Sequence, residues 1–133
     1  MSKKTDYRQR NADFLDDLRG QEGVGELPCG VLYRVVSSAG GDRHPNIRSV
    51  VTVHYTGTLI NGRVFDDTRR TKTPAAFRLK DVITGWQIAL TRMAVGDRWQ
   101  IYIPSQAGYG ERSVGAIPGN STLVFDVELL GIA

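Results

Sequence analysis

The sequence predicts an α+β domain in which an antiparallel sheet curls over a single helix. Apolar and polar residues alternate in several separate segments, as is typical of strands that are buried on one face. Only one segment in the body of the chain has helical spacing, whereas a doubly wound parallel sheet needs a helix at nearly every crossover. The length of 133 residues and the apolar share of 41% fit one domain with one hydrophobic core.

The N-terminal segment, residues 6–20, predicts an amphipathic helix that Gly20 is placed to end. One side of this helix carries Tyr7, Asn11, Phe14, Leu15 and Leu18. Such a stripe must be covered, either by the helix's own domain or by a second copy of the chain, and the sequence leaves both open. Residues 21–30 contain three glycines and Pro28 and predict a linker. We therefore predict an N-terminal helical arm and linker over residues 1–29 and a folded domain over residues 30–133.

The first half of that domain predicts strands that are joined by a tight hairpin. Residues alternate over 31–35 and again from Val50 to Ile60. In the second run one face carries Val51, Val53, Tyr55 and Leu59. Asn61-Gly62 tolerates positive φ and predicts the hairpin turn. Residues 66–74 are charged and rich in threonine, which predicts an exposed loop or bulge before a short strand around Phe77 and Leu79.

The second half contains the one helix of the domain body and two further strands. The helix is predicted from the spacing i, i+3, i+4 and i+7 of Trp86, Ala89, Leu90 and Met93, with Gly96 following its last turn. Its apolar face should lie on the sheet. Alternation predicts strands over residues 99–103 and 123–129, with a long loop over residues 105–121 between them.

Charge and hydropathy exclude two classes of partner. The 17 basic and 14 acidic side chains give a net charge of only +3, spread along the chain, so we expect no nucleic acid partner. No apolar run is long enough to span a bilayer and no secretory signal is visible, so we expect no membrane insertion. The expected location is cytoplasmic, and periplasmic if a signal peptide has been removed. Cys29 is predicted to be a half-buried small apolar residue.

Conventional catalytic motifs are missing from the sequence. His44, His54 and Cys29 have no second ligand at metal-binding spacing, so we predict neither a metal site nor a cofactor. There is no nucleophile elbow or phosphate-binding loop, and Gly108-Tyr109-Gly110 does not continue into a dinucleotide-binding motif. Hydrolytic, redox and phosphoryl-transfer chemistry are therefore unsupported.

Five aromatic side chains remain, each from a separate segment: Tyr55, Phe65, Trp86, Tyr109 and Phe125. Periodicity alone allows them to be ordinary core residues or the walls of a site. At these residues the chain resembles the FKBP-type peptidyl-prolyl cis-trans isomerases. The matching motifs are VHYTG at 53–57, NGRVFD at 61–66, VITGW at 82–86, GYG at 108–110, and IP at 117–118 with TLVFDVELL at 122–130. The arm resembles, more weakly, the helical segment that precedes this domain in bacterial members such as macrophage infectivity potentiator-like proteins.

The resemblance implies a half-barrel around the helix and a pocket that binds proline-containing polypeptides and assists their folding. It implies Tyr55, Asp66 and Tyr109 as catalytic residues, and as substrate-binding residues Phe65, Val82, Ile83, Trp86, Ile117 and Phe125. Trp86 would form the floor, while the Ile83 backbone and the Tyr109 hydroxyl would bind peptide carbonyls. Asp66 would polarise Tyr55 or act on the substrate carbonyl, or be only a solvated hairpin acid.

The resemblance also implies inhibition by the macrolides tacrolimus and rapamycin. Many members have a further aromatic residue at the pocket rim, where this chain has Ala75-Ala76, and the loop over residues 111–116 is short. Two other function classes stay open. The domain could hold proline-containing chains without turnover, as a chaperone or adaptor, or it could be an assembly protein that forms a homodimer through the N-terminal helix.

Overall fold

The chain folds into an antiparallel sheet with a few helices packed on it, which is an α+β arrangement. The structure, a computed structural model, describes residues 3–133 apart from the side chain of Lys4, so the first two residues of the predicted arm lie outside the described part. The helices are α1 (Lys3–Leu18), α2 (Thr68–Thr71) and α3 (Thr84–Leu90). The strands are β1 (Val24–Glu26), β2 (Leu32–Ser37), β3 (Val50–Thr58), β4 (Val64–Asp67), β5 (Ala75–Arg78), β6 (Arg98–Ile103) and β7 (Leu123–Ile132). Single 3₁₀ turns lie at Pro28–Gly30, Leu79–Asp81 and Ser105–Ala107.

Within residues 3–133 seven strands form one antiparallel sheet; six lie in the order β1-β2-β6-β7-β3-β4, and β5 pairs with β3 outside this order. Two strands pair with the outer edge of β3: β5 pairs with its first half and β4 with its second half. The β3–β4 turn follows the sequence prediction: the Leu59 N–H donates to the Arg63 carbonyl at 3.0 Å, and Gly62 has a φ of 87°. Asn61 has no positive φ and instead accepts a side-chain hydrogen bond from the Arg63 N–H at 2.9 Å.

The main core lies between α3 and one face of the sheet. Its buried members include Val51, Val53, Trp86, Leu90, Ile101, Val127 and Leu129. The strand alternation predicted these inward positions, because side chains two residues apart share a face. Gly85 allows α3 to approach closely, since a Cβ there would lie 2.6 Å from the side chain of Ile103. The predicted antiparallel sheet over a single helix is therefore confirmed.

The other face of the sheet is covered by α1. A second cluster contains Leu15, Leu32 and Tyr102, with Phe14 and Leu18 packed against it. Tyr102 follows Ile101 of the main core, so α1 and α3 lie on opposite faces of β6. A buried hydrogen bond of 2.7 Å from the Thr122 N–H to Asn11 Oδ1 fixes the helix. The apolar stripe of α1 is thus covered by its own domain.

Three local predictions differ from the structure. Residues 21–30, expected to form a linker, contain β1 and a 3₁₀ turn, because β1 adds to the exposed edge of β2. Residues 66–74, expected to be a loop, begin with the end of β4 and continue into α2, whose first turn is capped by Asp67 accepting from the Arg69 N–H at 3.0 Å. Cys29, expected to be half-buried, is exposed at a φ of 62°. The division between residues 29 and 30 stays a prediction.

Candidate functional site

A cavity of about 310 Å³ opens between α3, the outer strands and the loop that carries Tyr109. It is lined by Tyr55, Phe65, Asp66, Phe77, Asp81, Val82, Ile83, Trp86, Tyr109 and Phe125. Its volume lies at the lower end of the range of roughly 300–1,000 Å³ for small-molecule pockets. Most of its wall is aromatic, so the cavity suits a small apolar group rather than a charged one.

The aromatic rings form an interlocked wall with Trp86 at its centre. The ring centroid of Trp86 lies 5.0 Å from that of Tyr55 and 5.2 Å from that of Phe125, both nearly perpendicular to it. Phe77 approaches Trp86 in the same way at 5.5 Å, and Phe65 meets Phe125 at 5.6 Å. Edge-to-face pairs of this kind are favourable. The parts of these rings that line the cavity can contact a ligand.

The register of two strands brings Tyr55 and Phe125 together. On β3 and β7, Tyr55 pairs with Val127 and Gly57 pairs with Phe125. Gly57 must lack a side chain here, because a Cβ would lie 2.7 Å from the Phe65 ring and 2.9 Å from the Phe125 ring. The glycine after the Tyr-Thr pair therefore lets two aromatic walls meet over the strand.

Tyr55 is held by hydrogen bonds at its side-chain hydroxyl and at its backbone N–H. Its hydroxyl donates a hydrogen bond to the carboxylate of Asp66 at the rim of the cavity. The backbone N–H of Tyr55 donates to Thr68 Oγ1 at 2.8 Å. The hydroxyl of Thr68 also contacts Nδ1 of His54 at 2.9 Å. Burial, and secondarily the hydrogen bond to Asp66, raises the pKa of Tyr55 above its usual range. Tyr55 is therefore a neutral hydrogen-bond donor throughout the physiological pH range.

Three donors around the cavity lack an acceptor within the part of the chain that the structure describes. They are the backbone N–H of Ile83, the hydroxyl of Tyr109 and Nε1 of Trp86, the last of which is fully enclosed. Ile83 immediately precedes α3, and Tyr109 is 38% exposed at the mouth. A ligand with carbonyl oxygens could accept from Ile83 and Tyr109, because both carry hydrogen-bond donors at the cavity wall.

All predicted site residues except Ile117 line this cavity. Ile117 is 7% exposed, belongs to the main core, and forms an isolated bridge with Val114. Ala75 and Ala76 are not among the lining residues either, so the rim lacks a ring there.

Sequence reasoning missed Phe77 and Asp81 as lining residues. Phe77 alternates in a predicted strand, and its pairing with Val51 of β3 turns it toward Trp86. That alternation was the available signal. Asp81 ends the turn before α3, and no pattern in the sequence marks its position.

Across residues 3–133 no three His, Cys, Asp or Glu side chains are grouped to hold a metal ion. In the same part of the chain, no helix combines the length and apolar character that crossing a bilayer requires.

The chain is similar to known proteins over most of its length. Residues 41–130 match the family model described as FKBP-type peptidyl-prolyl cis-trans isomerase. The chain is 44% identical over 125 residues to the peptidyl-prolyl cis-trans isomerase Mip of Coxiella burnetii, covering 93% of this chain and 54% of that protein. It is 46% identical over 120 residues to the FKBP-type 22 kDa isomerase of Escherichia coli, covering 90% and 58%. The outer membrane protein MIP of Legionella longbeachae is 38% identical over 133 residues, covering 98% and 57%. The chain thus spans little more than half the length of these relatives.

Solved structures share the whole fold. The crystal structure of FkpA from Escherichia coli superposes with a TM-score of 0.91 at 37% identity, covering 96% of this chain and 60% of that one. A peptidyl-prolyl cis-trans isomerase from Pseudomonas syringae superposes with a TM-score of 0.90 at 31% identity, covering 100% of this chain and 98% of that one.

Proposed function

The chain belongs to the FKBP-type peptidyl-prolyl cis-trans isomerases, in the subgroup similar to Mip, and on that premise we propose that it accelerates rotation about Xaa-Pro bonds in polypeptides. The observation that carries this proposal is the aromatic cavity around Trp86, with unpaired donors beside it at Ile83 and Tyr109. The cavity offers an apolar surface for a pyrrolidine ring and hydrogen bonds for its flanking carbonyls.

The reaction explains why the site needs no nucleophile. Rotation about an imide bond loses amide resonance against a barrier of about 18–20 kcal/mol, and unassisted isomerisation takes roughly tens to hundreds of seconds. No covalent bond forms or breaks. In the twisted transition state the nitrogen becomes pyramidal and the carbonyl oxygen carries less negative charge, so water stabilises the planar ground state more. A dry cavity removes that advantage, and an acceleration of about 10⁵ requires only about 7 kcal/mol.

We assign the binding roles from the orientation of the lining groups. The proline ring would lie on Trp86, which is 4% exposed and surrounded by three perpendicular rings. The Ile83 N–H would donate to a peptide carbonyl on the α3 side, and the Tyr109 hydroxyl to another at the mouth. These contacts hold the residues on both sides of the bond, so that one side can rotate against the other.

Asp66 and Tyr55 would act on the rotating carbonyl as a pair. The carboxylate of Asp66 accepts from Tyr55 and is also exposed at the rim. As resonance is lost, the carbonyl carbon gains positive character, which a nearby carboxylate stabilises. This contribution is differential, because it is stronger in the twisted state than in the planar one.

A binding module without turnover would use the same cavity, so the assignment needs a rate measurement. The experiment is a protease-free isomerisation assay on an Xaa-Pro peptide, with Tyr55→Ala and Trp86→Ala as variants. The matched control is Trp99→Phe, because Trp99 is 7% exposed, stacks on Tyr33 and does not line the cavity. We expect the first two variants to lose catalysis and the control to keep it. Peptide binding without acceleration by the unmodified chain would reject the enzyme and leave a chaperone or adaptor.

For ligands and partners we propose proline-containing polypeptides as substrates and tacrolimus and rapamycin as inhibitors. Because Ala75 and Ala76 carry no ring, the rim offers less apolar contact area. Macrolide binding should therefore be weaker than in members with an aromatic residue there. A homodimer through the N-terminal helix would have to use the outer face of α1, because Phe14, Leu15 and Leu18 pack on the chain's own sheet. Light scattering with and without residues 1–18 tests this alternative.

For the compartment we propose the periplasmic alternative over the cytoplasmic one. The support is the name of the Legionella longbeachae relative, an outer membrane protein. Fractionation of cells that express the full gene product, followed by immunoblotting, separates the two locations.

A further inference from the structure

A second cavity, of about 230 Å³, lies between α1 and the 3₁₀ turn Ser105–Ala107. It shares no lining residue with the aromatic cavity. One wall is a face of α1 that includes Arg8, Ala12 and Leu15, and the opposite wall is residues 104–106. Asn120 and Thr122 close one end. Nothing in the isomerase mechanism uses this space.

The end wall holds Asn120, a largely buried residue whose side-chain amide has no protein partner in the described part of the chain. Asn120 is 5% exposed, and its side chain has no hydrogen bond to any residue that the structure describes. Among residues 3–133, only Nε of Arg34 and Nε1 of Trp86 are both fully enclosed and unpaired. The amide atoms of Asn120 are not among them, so they are not sealed in the interior. The amide of Asn120 therefore faces the cavity that it lines. Because the amide is open to the cavity and has no protein partner within the described chain, its donor and acceptor are available to a bound group, which would replace water there.

The backbone holds Asn120 in this position from both sides. Its φ of 66° is left-handed, which asparagine tolerates better than most residues. Its backbone N–H donates to the Gly110 carbonyl at 2.8 Å, and the N–H of Thr122 donates to Asn11 Oδ1 at 2.7 Å. The side chain is thus presented by an anchored segment, as a preformed binding site requires.

The cavity wall presents groups that both donate and accept hydrogen bonds. They are the amide of Asn120, the amide of Gln106 and the hydroxyl of Ser105. A peptide unit offers one donor and one acceptor, so these groups match polypeptide backbone better than a simple anion. Leu15 and Pro104 add apolar surface beside them. The volume is below the roughly 300 Å³ of small-molecule pockets, so the site fits a short segment rather than a folded partner.

Among the described residues, the charged side chains that line the cavity are Arg8, Arg19 and Asp16, and Arg8 is the one whose charge is left for a ligand. Arg19 is already paired with Asp16 at 2.6 Å and with Glu26 at 3.1 Å. Arg8 also lines the cavity, is exposed, and has no carboxylate partner among residues 3–133. We propose that this cavity is a second peptide-binding site, which accepts a short acidic polypeptide segment through the amide of Asn120 and the guanidinium of Arg8.

The two cavities are connected by one short loop. The Ser105 carbonyl accepts from the N–H of Gly108 at 3.0 Å and from that of Gly110 at 2.8 Å. Tyr109, at the mouth of the aromatic cavity, lies between these two glycines. A segment bound against Ser105 therefore contacts the same loop that carries Tyr109, so one polypeptide chain could be held at both sites.

The test is a titration of the ¹⁵N-labelled chain with the proline-free peptide acetyl-Ala-Asp-Ala-amide, followed by two-dimensional NMR. We expect saturable shifts of the Asn120 side-chain amide and the Thr122 N–H, without a shift of Trp86 Nε1–H. Asn120→Gly keeps the left-handed backbone and should bind about fivefold more weakly, the factor that corresponds to one hydrogen bond of about 1 kcal/mol.

Arg8→Ala provides a second arm that alters only an exposed side chain. It should weaken the acidic peptide about two- to fivefold and leave acetyl-Ala-Asn-Ala-amide unchanged. Arg10→Ala is the matched control, because Arg10 is on the same helix, lies 5.8 Å from the Tyr7 ring and does not line the cavity. Equal effects of the two arginine variants would overturn the proposal. Shifts of the Asn120 amide with acetate but not with the peptides would also overturn it. So would the lack of any shift of that amide, which would mean that water is the partner of Asn120. Isomerase activity is measured separately and bears on neither result.

Discussion

The hydroxyl of Tyr55 donates a hydrogen bond to the carboxylate of Asp66 across strands β3 and β4. Tyr55 is 5% exposed among the rings of the cavity, whereas Asp66 is exposed at its rim. The bond therefore connects the buried aromatic wall of the cavity to its mouth. Thr68, two residues after Asp66, binds the Tyr55 backbone, so strand and side chain are positioned together.

Asp66→Asn tests whether the site needs the charge of Asp66 or only its acceptor. Asparagine can still accept from Tyr55, but it cannot stabilise positive character on the carbonyl carbon. We expect kcat/KM to fall about tenfold, a loss of about 1.4 kcal/mol in transition-state stabilisation, while rapamycin binding changes less.

Asp81→Asn is the matched control for that variant, because Asp81 is the other carboxylate that lines the cavity and makes no hydrogen bond to Tyr55. Asp66→Val removes both charge and acceptor and should reduce activity further. Equal losses of activity and rapamycin affinity in the Asp66 variants would mean that Asp66 serves packing alone.

Gly57→Ala should damage both the fold and the site. The added methyl group would lie within 3 Å of the Phe65 and Phe125 rings, which must then move apart. Overpacking of this kind costs about 1–3 kcal/mol, measurable as a lower urea midpoint, and isomerase activity should fall with it. Gly131→Ala on β7 is the control, because its Cβ would meet nothing within 4 Å. If the two variants have the same stability, the close approach at Gly57 is not important.

The raised pKa of Tyr55 predicts how stability depends on alkaline pH. Below about pH 10, the ordinary pKa of tyrosine, Tyr55 is protonated in both the folded and the unfolded chain, and its contribution is fully present. Above that pH the unfolded chain releases the proton first, so stability falls at up to about 1.4 kcal/mol per pH unit.

Urea titrations at intervals between about pH 8 and pH 11, a range that brackets the ordinary tyrosine pKa, measure this effect. Tyr55→Phe should show a shallower decline than the unmodified chain. Part of the remaining slope should come from Tyr102, because burial raises the pKa of that side chain too. Parallel curves for the variant and the unmodified chain would contradict the assignment to Tyr55.

Asn11→Ala should weaken the attachment of α1 to the sheet. Asn11 Oδ1 accepts from the Thr122 N–H at 2.7 Å, and its Nδ2 donates to the Tyr7 carbonyl at 2.8 Å. Leaving the buried Thr122 N–H unpaired costs about 1–3 kcal/mol. Hydrogen exchange should then be faster in α1 than in β3. Asp13→Ala, on the exposed side of the same helix, should change neither quantity.

Strand and helix periodicity predicted the antiparallel sheet with α3 on one face, but they left open what covers the apolar stripe of α1. Val51, Val53 and Tyr55 are buried on one face of β3, as their period of two requires. The linker prediction was wrong for a physical reason, because glycines and Pro28 do not exclude a short strand when an open sheet edge is adjacent. Val31 and Leu32 are neighbours and yet both are buried. Both can be buried because α1 covers the second face of the sheet at β2.

The sequence by itself determined the family, the single helix over an antiparallel sheet, and most of the aromatic side chains of the cavity. These follow from spacing and from motifs that are local in the chain. Only the tertiary structure decided that Phe77 and Asp81 join the cavity, that Ile117 packs in the core, and that Asn120 faces a second cavity under α1. Such positions depend on strand register and on contacts between residues more than a hundred positions apart, such as Asn11 with Thr122, which no local pattern specifies.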